Sequence, residues 1–337
     1  MYNNNDLFLQ PKVTQYNSHM VMTNVHKETK KKHWNIDTRF RDDYDNYDQT
    51  TKGSLITGYT FTLPQSINDV KSIQVNNAEI PLSFYNISTA LGNNTMLVGN
   101  TTTQKLITIP DGFYNPVSLS YSTNSNNSNV TNSSIQFKTA VNTALVGTSK
   151  AFDISSNGVP KTTFTNTSGL SVNIAFPVKA TNTCDGNLKQ ATGTADFDKH
   201  NFKSKLGWLL GFRNIIYTIP NGGTLSSESI IELNTPRYLY LVVDEFTSSN
   251  TNSFISPLPT SIINKNILAK ITIDYSHHSF GQVIAANRTN GLLISDKRSY
   301  NGKVNLQKLK IQLVNEYGMP VNLNGLDFSF CLEISYE

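Results

Sequence analysis

The stretch VNLQKLKIQLV, residues 304–314, indicates which fold class this chain adopts. The even-numbered residues are mainly polar: Leu306, Lys308, Lys310 and Gln312. The odd-numbered residues are apolar: Leu309, Ile311 and Leu313. Successive side chains of a β-strand point to opposite faces of the sheet. A polar and apolar alternation of this kind therefore predicts a strand with one face buried.

Similar short apolar runs occur near both ends of the chain, separated by polar loops. They are HWNIDTRF (33–40), GYTFTLPQ (58–65), VKSIQVNNAEIPLSFYNI (70–87), PRYLYLVVDEF (236–246), ILAKITIDY (267–275), GLLIS (291–295) and LDFSFCLEISY (326–336). In the first run, one parity holds Trp34, Ile36, Thr38 and Phe40, which predicts that these residues share one face. About eight strands of this length, with little helical signal around them, predict a mostly β chain built on a single jelly-roll β-sandwich.

Large apolar side chains in these runs are the predicted core anchors of the strands. They are Trp34, Ile36, Phe61, Tyr238, Tyr240, Phe328 and Phe330. The run 70–87 is less regular, because its apolar residues do not keep one parity. Either a β-bulge near Asn76 and Asn77 or burial of both faces would explain that pattern.

The middle of the chain has a different residue pattern from the two ends. A hairpin is predicted over 95–109, and a polar low-complexity segment follows it. In SIQFKTAVNTALVG, residues 134–147, apolar residues recur at helical spacing and Gly147 ends the pattern, which predicts a helix. We therefore expect an extended N-terminal arm at 1–32, a jelly-roll β-sandwich formed by 33–109 and 216–337, and an inserted small α+β subdomain at 110–215.

Composition excludes several classes of protein. Charged residues are only 15% of the chain and the net charge is +4, which is far from the strong basic bias of a DNA-packing protein. Cys184 and Cys331 are far apart and form no C-x-x-C pair, so no zinc site is indicated. Two buried free thiols are predicted, and one disulfide is the alternative. No apolar window is long enough for a membrane span and no signal peptide is evident, which predicts a soluble protein made in the cytosol.

Residue patterns for catalysis and metal binding are weak. The aspartates at 42, 43, 45 and 48 lack the glycine and the later glutamate of a calcium loop. His277 and His278 are adjacent, so in a strand they would point to opposite faces. Asp244 and Glu245 could form a carboxylate pair, but neighbours in a strand rarely face one site. No phosphate-binding or nucleophile motif is present. We predict no catalytic residue, no metal site and no cofactor.

A basic run is the more interesting polar feature. Lys27, Lys30, Lys31 and Lys32 precede Trp34, and such a run can contact phosphates while an aromatic ring stacks on a base. Glu28 interrupts the run, and Trp34 also fits the buried face of the first strand. Docking of these lysines on an acidic protein neighbour is the favoured interpretation, and nucleic-acid binding is the alternative.

Several blocks, in order along the chain, carry a family resemblance. They are Asn35 to Asp42 (NIDTRFRD), Tyr59 to Pro64 (YTFTLP), Ala78 to Pro81 (AEIP), Ile109 to Tyr114 (IPDGFY), Leu206 to Phe212 (LGWLLGF), Arg237 to Leu241 (RYLYL), Lys297 to Tyr300 (KRSY), Leu309 to Leu313 (LKIQL) and Asn324 to Phe330 (NGLDFSF). Together they resemble the capsid proteins of large icosahedral nucleocytoplasmic DNA viruses, the giant viruses among them.

The resemblance implies a structural protein of the virion and no enzyme. It implies either the penton, a homopentamer at the five-fold vertices, or a minor capsid protein that cements the capsomers away from the vertices. The partners implied are other copies of this chain, the major capsid protein, other minor capsid proteins and a vertex spike or fibre, with assembly in the host cytoplasm and at most indirect membrane contact. A glycan-binding or nucleic-acid-binding β module is the remaining alternative.

Overall fold

The computed structural model describes residues 29–41, 58–100, 104–114, 133–154, 159–176, 202–246 and 266–337, without the side chains of 133–136. The predictions for Lys27, for the aspartates between 42 and 48 and for Cys184 therefore lie outside the described residues. No helix in the described ranges is long and apolar enough to cross a bilayer.

The described residues form fifteen strands and two short α-helices. The strands are β1 (Lys30–Asp37), β2 (Gly58–Pro81), β3 (Thr95–Gly99), β4 (Gln104–Thr108), β5 (Lys150–Ile154), β6 (Thr162–Asn166), β7 (Val172–Ala175), β8 (Ile216–Ile219), β9 (Thr224–Ser226), β10 (Tyr238–Asp244), β11 (Ile267–Thr272), β12 (Val283–Asn287), β13 (Leu293–Ile294), β14 (Arg298–Asn315) and β15 (Ser329–Tyr336). The helices are α1 (Ser133–Ala144) and α2 (Leu206–Leu209), and a 3₁₀ turn covers Thr38–Phe40.

The largest sheet is antiparallel and has eight strands. Its order is β1-β15-β2-β14-β10-β11-β13, and β12 also pairs with β2. Strands β2 and β14 have 24 and 18 residues, so they extend through both layers of the curled sheet. Ser295 joins the two layers, because its Oγ accepts from the Val75 amide at 3.0 Å and donates to the Leu268 carbonyl at 3.0 Å. This curled antiparallel arrangement confirms the predicted mostly β, jelly-roll type of β-sandwich.

Bulges explain where the simple alternation fails. Asn77 pairs with Cys331 and Val75 with Leu332, which leaves Asn76 as an extra residue in β2. The predicted bulge is therefore present, and both faces of Ser72–Val75 are also buried. The parity prediction for Leu306 was wrong. A register shift between Leu306 and Lys308 turns Leu306 into the core, where it is 1% exposed.

A second hydrophobic core lies in the middle of the chain. It collects buried residues between Ile87 and Leu233, separately from the sandwich core. Two small sheets surround it, with orders β4-β3-β7-β8 and β5-β6-β9. The predicted hairpin forms as β3 and β4, but its placement in the sandwich was wrong. Leu97 pairs with Ala175 and the side chains of Met96 and Val98 join the second core.

Glycines shape both the predicted helix and the apolar block at 206–213. The predicted helix forms as α1 and ends before Gly147, whose φ of +80° suits glycine. In the block 206–213, Gly207 lies against the Phe176 ring and Gly211 has a φ of +90°. A Cβ on Gly211 would lie 2.2 Å from the Ser229 carbonyl oxygen, so only glycine fits. These glycines allow α2 to pack closely against its neighbours.

Candidate assembly surface

Strand β1 lies at one end of the sheet order, so it is an edge strand of the described sheet. It pairs with β15 from Lys30 opposite Tyr336 to Asp37 opposite Ser329. The predicted boundary of the arm was therefore wrong, because Lys30, Lys31 and Lys32 are part of the sandwich. The lysines belong to a strand because β15, at the C-terminal end of the chain, pairs with β1 over its whole length. The sequence around the lysines does not indicate this distant partner.

The lysines of β1 each occupy a different environment. Lys30 is exposed, and Lys31 Nζ lies 2.8 Å from Glu333 Oε1. Lys32 Nζ lies 3.5 Å from Gln65 Oε1 and 5.8 Å from the centre of the Trp34 ring. A hydrogen bond from Lys31 is the main reason why the pKa of Glu333 lies below its usual value.

Other lysines on this side of the sheet also meet carboxylates. Lys71 Nζ lies 2.9 Å from Glu337 Oε1, and Lys303 Nζ lies 3.3 Å from Asp69 Oδ1. Surface pairs of this kind add little stability, but they reduce the local positive potential. Of the three lysines described in β1, only Lys31 is paired with a carboxylate. Docking on an acidic protein and contact with phosphates therefore both stay predictions for this strand.

The chain leaves β1 through a turn that ties two distant parts of the sequence together. Asp37 caps the turn by accepting from the Arg39 amide at 3.0 Å. Thr38 is fully buried, and its Oγ1 donates to Asp327 Oδ1 at 2.7 Å and accepts from the Phe328 amide at 3.0 Å. The block that begins at Asn35 is thus joined directly to the block that ends at Phe330.

Phe40 differs from the prediction that placed it on the buried face of the first strand. The 3₁₀ turn breaks the alternation, and the Phe40 side chain is 81% exposed. It borders a groove of about 560 Å³ at the open side of the sandwich. We call this the flank groove, and its lining is His33, Trp34, Asn35, Ile36, Asp37, Phe40, Arg41, Tyr59, Phe61, Thr62 and Pro64.

The proposed core anchors have three kinds of environment. Ile36, Phe328 and Phe330 are buried in the sandwich core, and the two phenylalanine rings stack with centroids 6.1 Å apart. Trp34 and Phe61 are half-buried and border the flank groove. The two tyrosines of β10 lie outside the sandwich core, in a small separate cluster with Ile267 and Val314: Tyr238 and Tyr240.

A buried charge cluster was missed by the sequence analysis. Arg298 and Glu245 side chains are both 0% exposed, with Nη1 and Oε1 2.7 Å apart. Tyr300 donates to the same Glu245 oxygen at 2.7 Å, and burial raises the pKa of the Tyr300 hydroxyl. The block KRSY contains Arg298 and Tyr300, but no periodicity distinguishes a buried arginine from an exposed one. The suggested Asp244 and Glu245 carboxylate pair does not form, because Asp244 caps the Phe246 amide instead.

The remaining polar residues have ordinary structural roles. His277 Nδ1 lies 2.6 Å from Asp274 Oδ2, and His278 bonds the Asp274 carbonyl. A hydrogen bond from Ser276, helped by His277, lowers the pKa of Asp274 to about 2. Cys331 is a free thiol whose pKa is raised by burial. In the described part of the chain, no group of three His, Cys, Asp or Glu side chains could hold a metal ion.

Comparison with known proteins gives a distant structural likeness. No protein-family model matches the chain, and no curated protein matches it in sequence. Among solved structures, the chain is similar to the crystal structure of the selenomethionine-labelled mavirus penton protein, with 11% identity and a TM-score of 0.41. That likeness covers 92% of this chain and 100% of the other. The fold assigned above rests on the strand pairing of this chain itself.

Proposed function

We propose that this chain is a structural protein of a viral capsid, and that it is the penton subunit of the five-fold vertices. The observation that carries the proposal is where the sequence blocks that resemble capsid proteins lie in the structure. In the described structure these blocks hold the scaffold together by contacts between distant segments. A protein whose characteristic residues serve the scaffold fits an architectural role.

Two pairs of blocks support this argument at the sandwich. The NIDTRFRD and NGLDFSF blocks meet where Thr38 bonds both Asp327 and Phe328. The KRSY block meets the end of β10, the strand that contains RYLYL, where Arg298 donates to the Val243 carbonyl and to Glu245. Buried hydrogen bonds and buried ion pairs are costly to break, so these contacts fix which strands are neighbours.

The IPDGFY block does the same at the connection to the second core. Asp111 Oδ1 accepts from the Thr89 amide at 2.8 Å, and Asn86 exchanges hydrogen bonds with Tyr114 at 2.9 Å. The Tyr114 hydroxyl also donates to the Pro110 carbonyl at 2.8 Å. These bonds satisfy the backbone of two loops that have no strand partner over most of their length.

The surface suits ring assembly. Closing a ring needs two different patches on each subunit, because the contact between neighbours is heterologous. The flank groove offers one such patch, with exposed Phe40 and half-buried Trp34 and Phe61. On this proposal the lysines of β1 dock on a neighbouring protein of the shell. The major capsid protein, minor capsid proteins and a vertex spike or fibre are the other proposed neighbours.

Averaged density of particles that contain the chain tests the role. We expect five copies around each vertex, with the sandwich forming the ring and the second core on one side of it. Density for the chain found only between capsomers away from the vertices would contradict the penton proposal and favour the minor capsid alternative. Density at neither place would reject both roles.

A further inference from the structure

We propose that a cavity lined by the loops after β2, β4 and β14 binds an uncharged sugar residue, such as the terminal hexose of a glycan. The cavity has a volume of about 310 Å³, and we call it the loop cavity. Its walls come mainly from residues 84–91, 111, 315 and 319–324. The inference goes beyond the proposed function, because binding of a sugar here does not depend on ring formation.

Two side chains in the wall are more than nine-tenths buried and keep a free hydrogen-bond donor. Asn315 is 6% exposed, and its Oδ1 accepts from the Tyr317 and Met319 amides at 3.0 Å. Ser88 is also 6% exposed, and its Oγ accepts from the Leu91 amide at 3.2 Å. Neither Asn315 Nδ2 nor the Ser88 hydroxyl donates to an acceptor in the described structure. Buried polar groups are nearly always hydrogen-bonded, so the occupant of the cavity has to supply these acceptors.

The more exposed part of the wall adds polar groups of fixed orientation. Asn322 Oδ1 accepts from the Asn324 amide at 2.9 Å, so Asn322 Nδ2 is the group left to donate. Asn324 Nδ2 donates to the Ser83 carbonyl at 2.5 Å, so Asn324 Oδ1 is the group left to accept. Asp111 accepts through Oδ1, chiefly from Thr89, and its Oδ2 has no partner among the described residues.

This mixture of free donors and free acceptors favours a ligand with several hydroxyl groups. A hydroxyl both donates and accepts, so the hydroxyls of one sugar ring can use both kinds of group. Among the described residues that line the cavity, none is a lysine, arginine or histidine, and Asp111 is acidic. An anionic ligand such as a phosphate or a sialic acid would therefore meet repulsion without a compensating cation.

Tyr85 supplies an apolar surface for the ring of the sugar. It lines the cavity and is half-buried. Its ring stacks on Phe280 with centroids 6.1 Å apart, and Phe280 stacks on Phe113 at 5.2 Å. This stack holds the Tyr85 ring in place before a ligand binds, which reduces the entropic cost of binding. The C–H groups of a sugar ring carry partial positive charge, so they pack well on the negative face of an aromatic ring.

The size and the walls of the loop cavity favour a single sugar over an extended peptide. Sites for small molecules commonly have volumes of roughly 300–1,000 Å³, and this cavity lies at the lower end of that range. Its walls are mostly loops and turns. An added peptide strand needs the row of main-chain groups that a free strand edge presents, and loops do not present such a row.

Binding of the purified full-length chain to an array of glycans tests the inference, with calorimetric titration of the glycan that binds best. We expect binding to at least one glycan that ends in an uncharged hexose. Two variants of unchanged shape, Asp111→Asn and Asn322→Asp, keep the oxygen that each residue uses inside the protein and exchange its free group. Each should raise the Kd at least tenfold, which corresponds to about 1.4 kcal/mol.

Two control variants make the same changes of charge at exposed positions outside the cavity, Asp296→Asn and Asn301→Asp. They should leave the Kd unchanged, and circular dichroism checks that every variant folds. Three results would each overturn the inference: no binding of any uncharged glycan at millimolar concentration, stronger binding of sialylated or sulfated glycans, or the same Kd for the cavity and control variants. The proposed function stands or fails separately, because none of these measurements depends on rings.

Discussion

Two ion pairs of the main sheet are chemically alike and differ in burial. Arg298 and Glu245 are both fully buried at the end of β10, whereas Lys31 is 55% exposed beside Glu333 at the edge of the sheet. A buried pair must recover the cost of removing two charges from water, so breaking it leaves a charge without compensation. In the edge pair Lys31 is largely solvated, while the Glu333 side chain is 12% exposed and also accepts a hydrogen bond from Asn76, so less changes when Lys31 is lost.

On the proposed function, charge is divided between folding and assembly. The buried pair fixes the neighbours of β10 and β14 and is inaccessible to partners. The edge strand carries its charge outward, where another chain can reach it. We therefore expect substitutions at the buried pair to alter stability, and substitutions at the edge and flank groove to alter association.

The largest effect is expected from Arg298→Met. The methionine fills part of the space but leaves Glu245 buried without its cation, so we expect a loss of about 3–5 kcal/mol in the free energy of unfolding. Chemical denaturation followed by tryptophan fluorescence measures this loss. The double variant Arg298→Met with Glu245→Leu is the matched control and should recover much of it. A single variant as stable as the unmutated chain would refute the role of the pair.

A smaller loss is expected from Thr38→Val, which keeps the shape of the side chain and removes its hydroxyl. The Phe328 amide then loses its acceptor and Asp327 loses one donor, which should cost about 1–3 kcal/mol. Thermal and denaturant unfolding measure the change. Thr62→Val is a suitable control, because Thr62 is exposed on β2. Equal stability of the two variants would contradict the linking role of Thr38.

Lys31→Ala should cost only about 0.2–1 kcal/mol at neutral pH, because the Lys31 side chain is more than half exposed. The pKa of Glu333 is lowered in the folded state, chiefly by Lys31, so the stability it contributes is present above its unfolded pKa. That stability is lost as the pH falls through the folded pKa. The difference between variant and unmutated chain should therefore shrink as the pH falls below the unfolded pKa of a glutamate, about 4.3, and disappear below the folded pKa. A difference that grows on acidification would contradict this account.

The smallest effect on stability, and a large one on association, is expected from Phe40→Ser. The ring is mostly exposed, so unfolding should change by less than about 0.5 kcal/mol. Removing it should weaken assembly of copies, as measured by sedimentation at several concentrations. Val146→Ser, at another exposed apolar position outside the groove, should leave assembly unchanged. Identical sedimentation of the two variants would remove the flank groove from the interface.

The sequence predicts the strands well and their partners poorly. A nearly continuous apolar run identifies β10 as a strand buried on both faces. Alternation identifies β14, because the side chains of a strand with one buried face repeat every two residues. It does not reveal that β2 continues through 24 residues as one strand, since its two halves belong to different layers. It also placed β3 and β4 in the wrong sheet, because the hairpin pattern is the same in either environment.

The candidate surface was only partly predictable for similar reasons. The lysines at 30–32 were identified, but their membership in β1 depends on pairing with the far end of the chain. The flank groove could not be predicted, because it requires residues near 35, 40 and 60 to meet across two layers. Exposure of Phe40 follows from a 3₁₀ turn that Asp37 caps, and a lone Asp before Thr carries no such signal in the sequence.

The native mass of the purified full-length chain, measured across a range of concentrations, tests the central claim most directly. The account predicts a closed assembly of five copies of the 37.5 kDa chain that weakens when Phe40 is replaced. A chain that stays monomeric at every concentration, or that closes into a dimer, trimer or hexamer, would contradict the account.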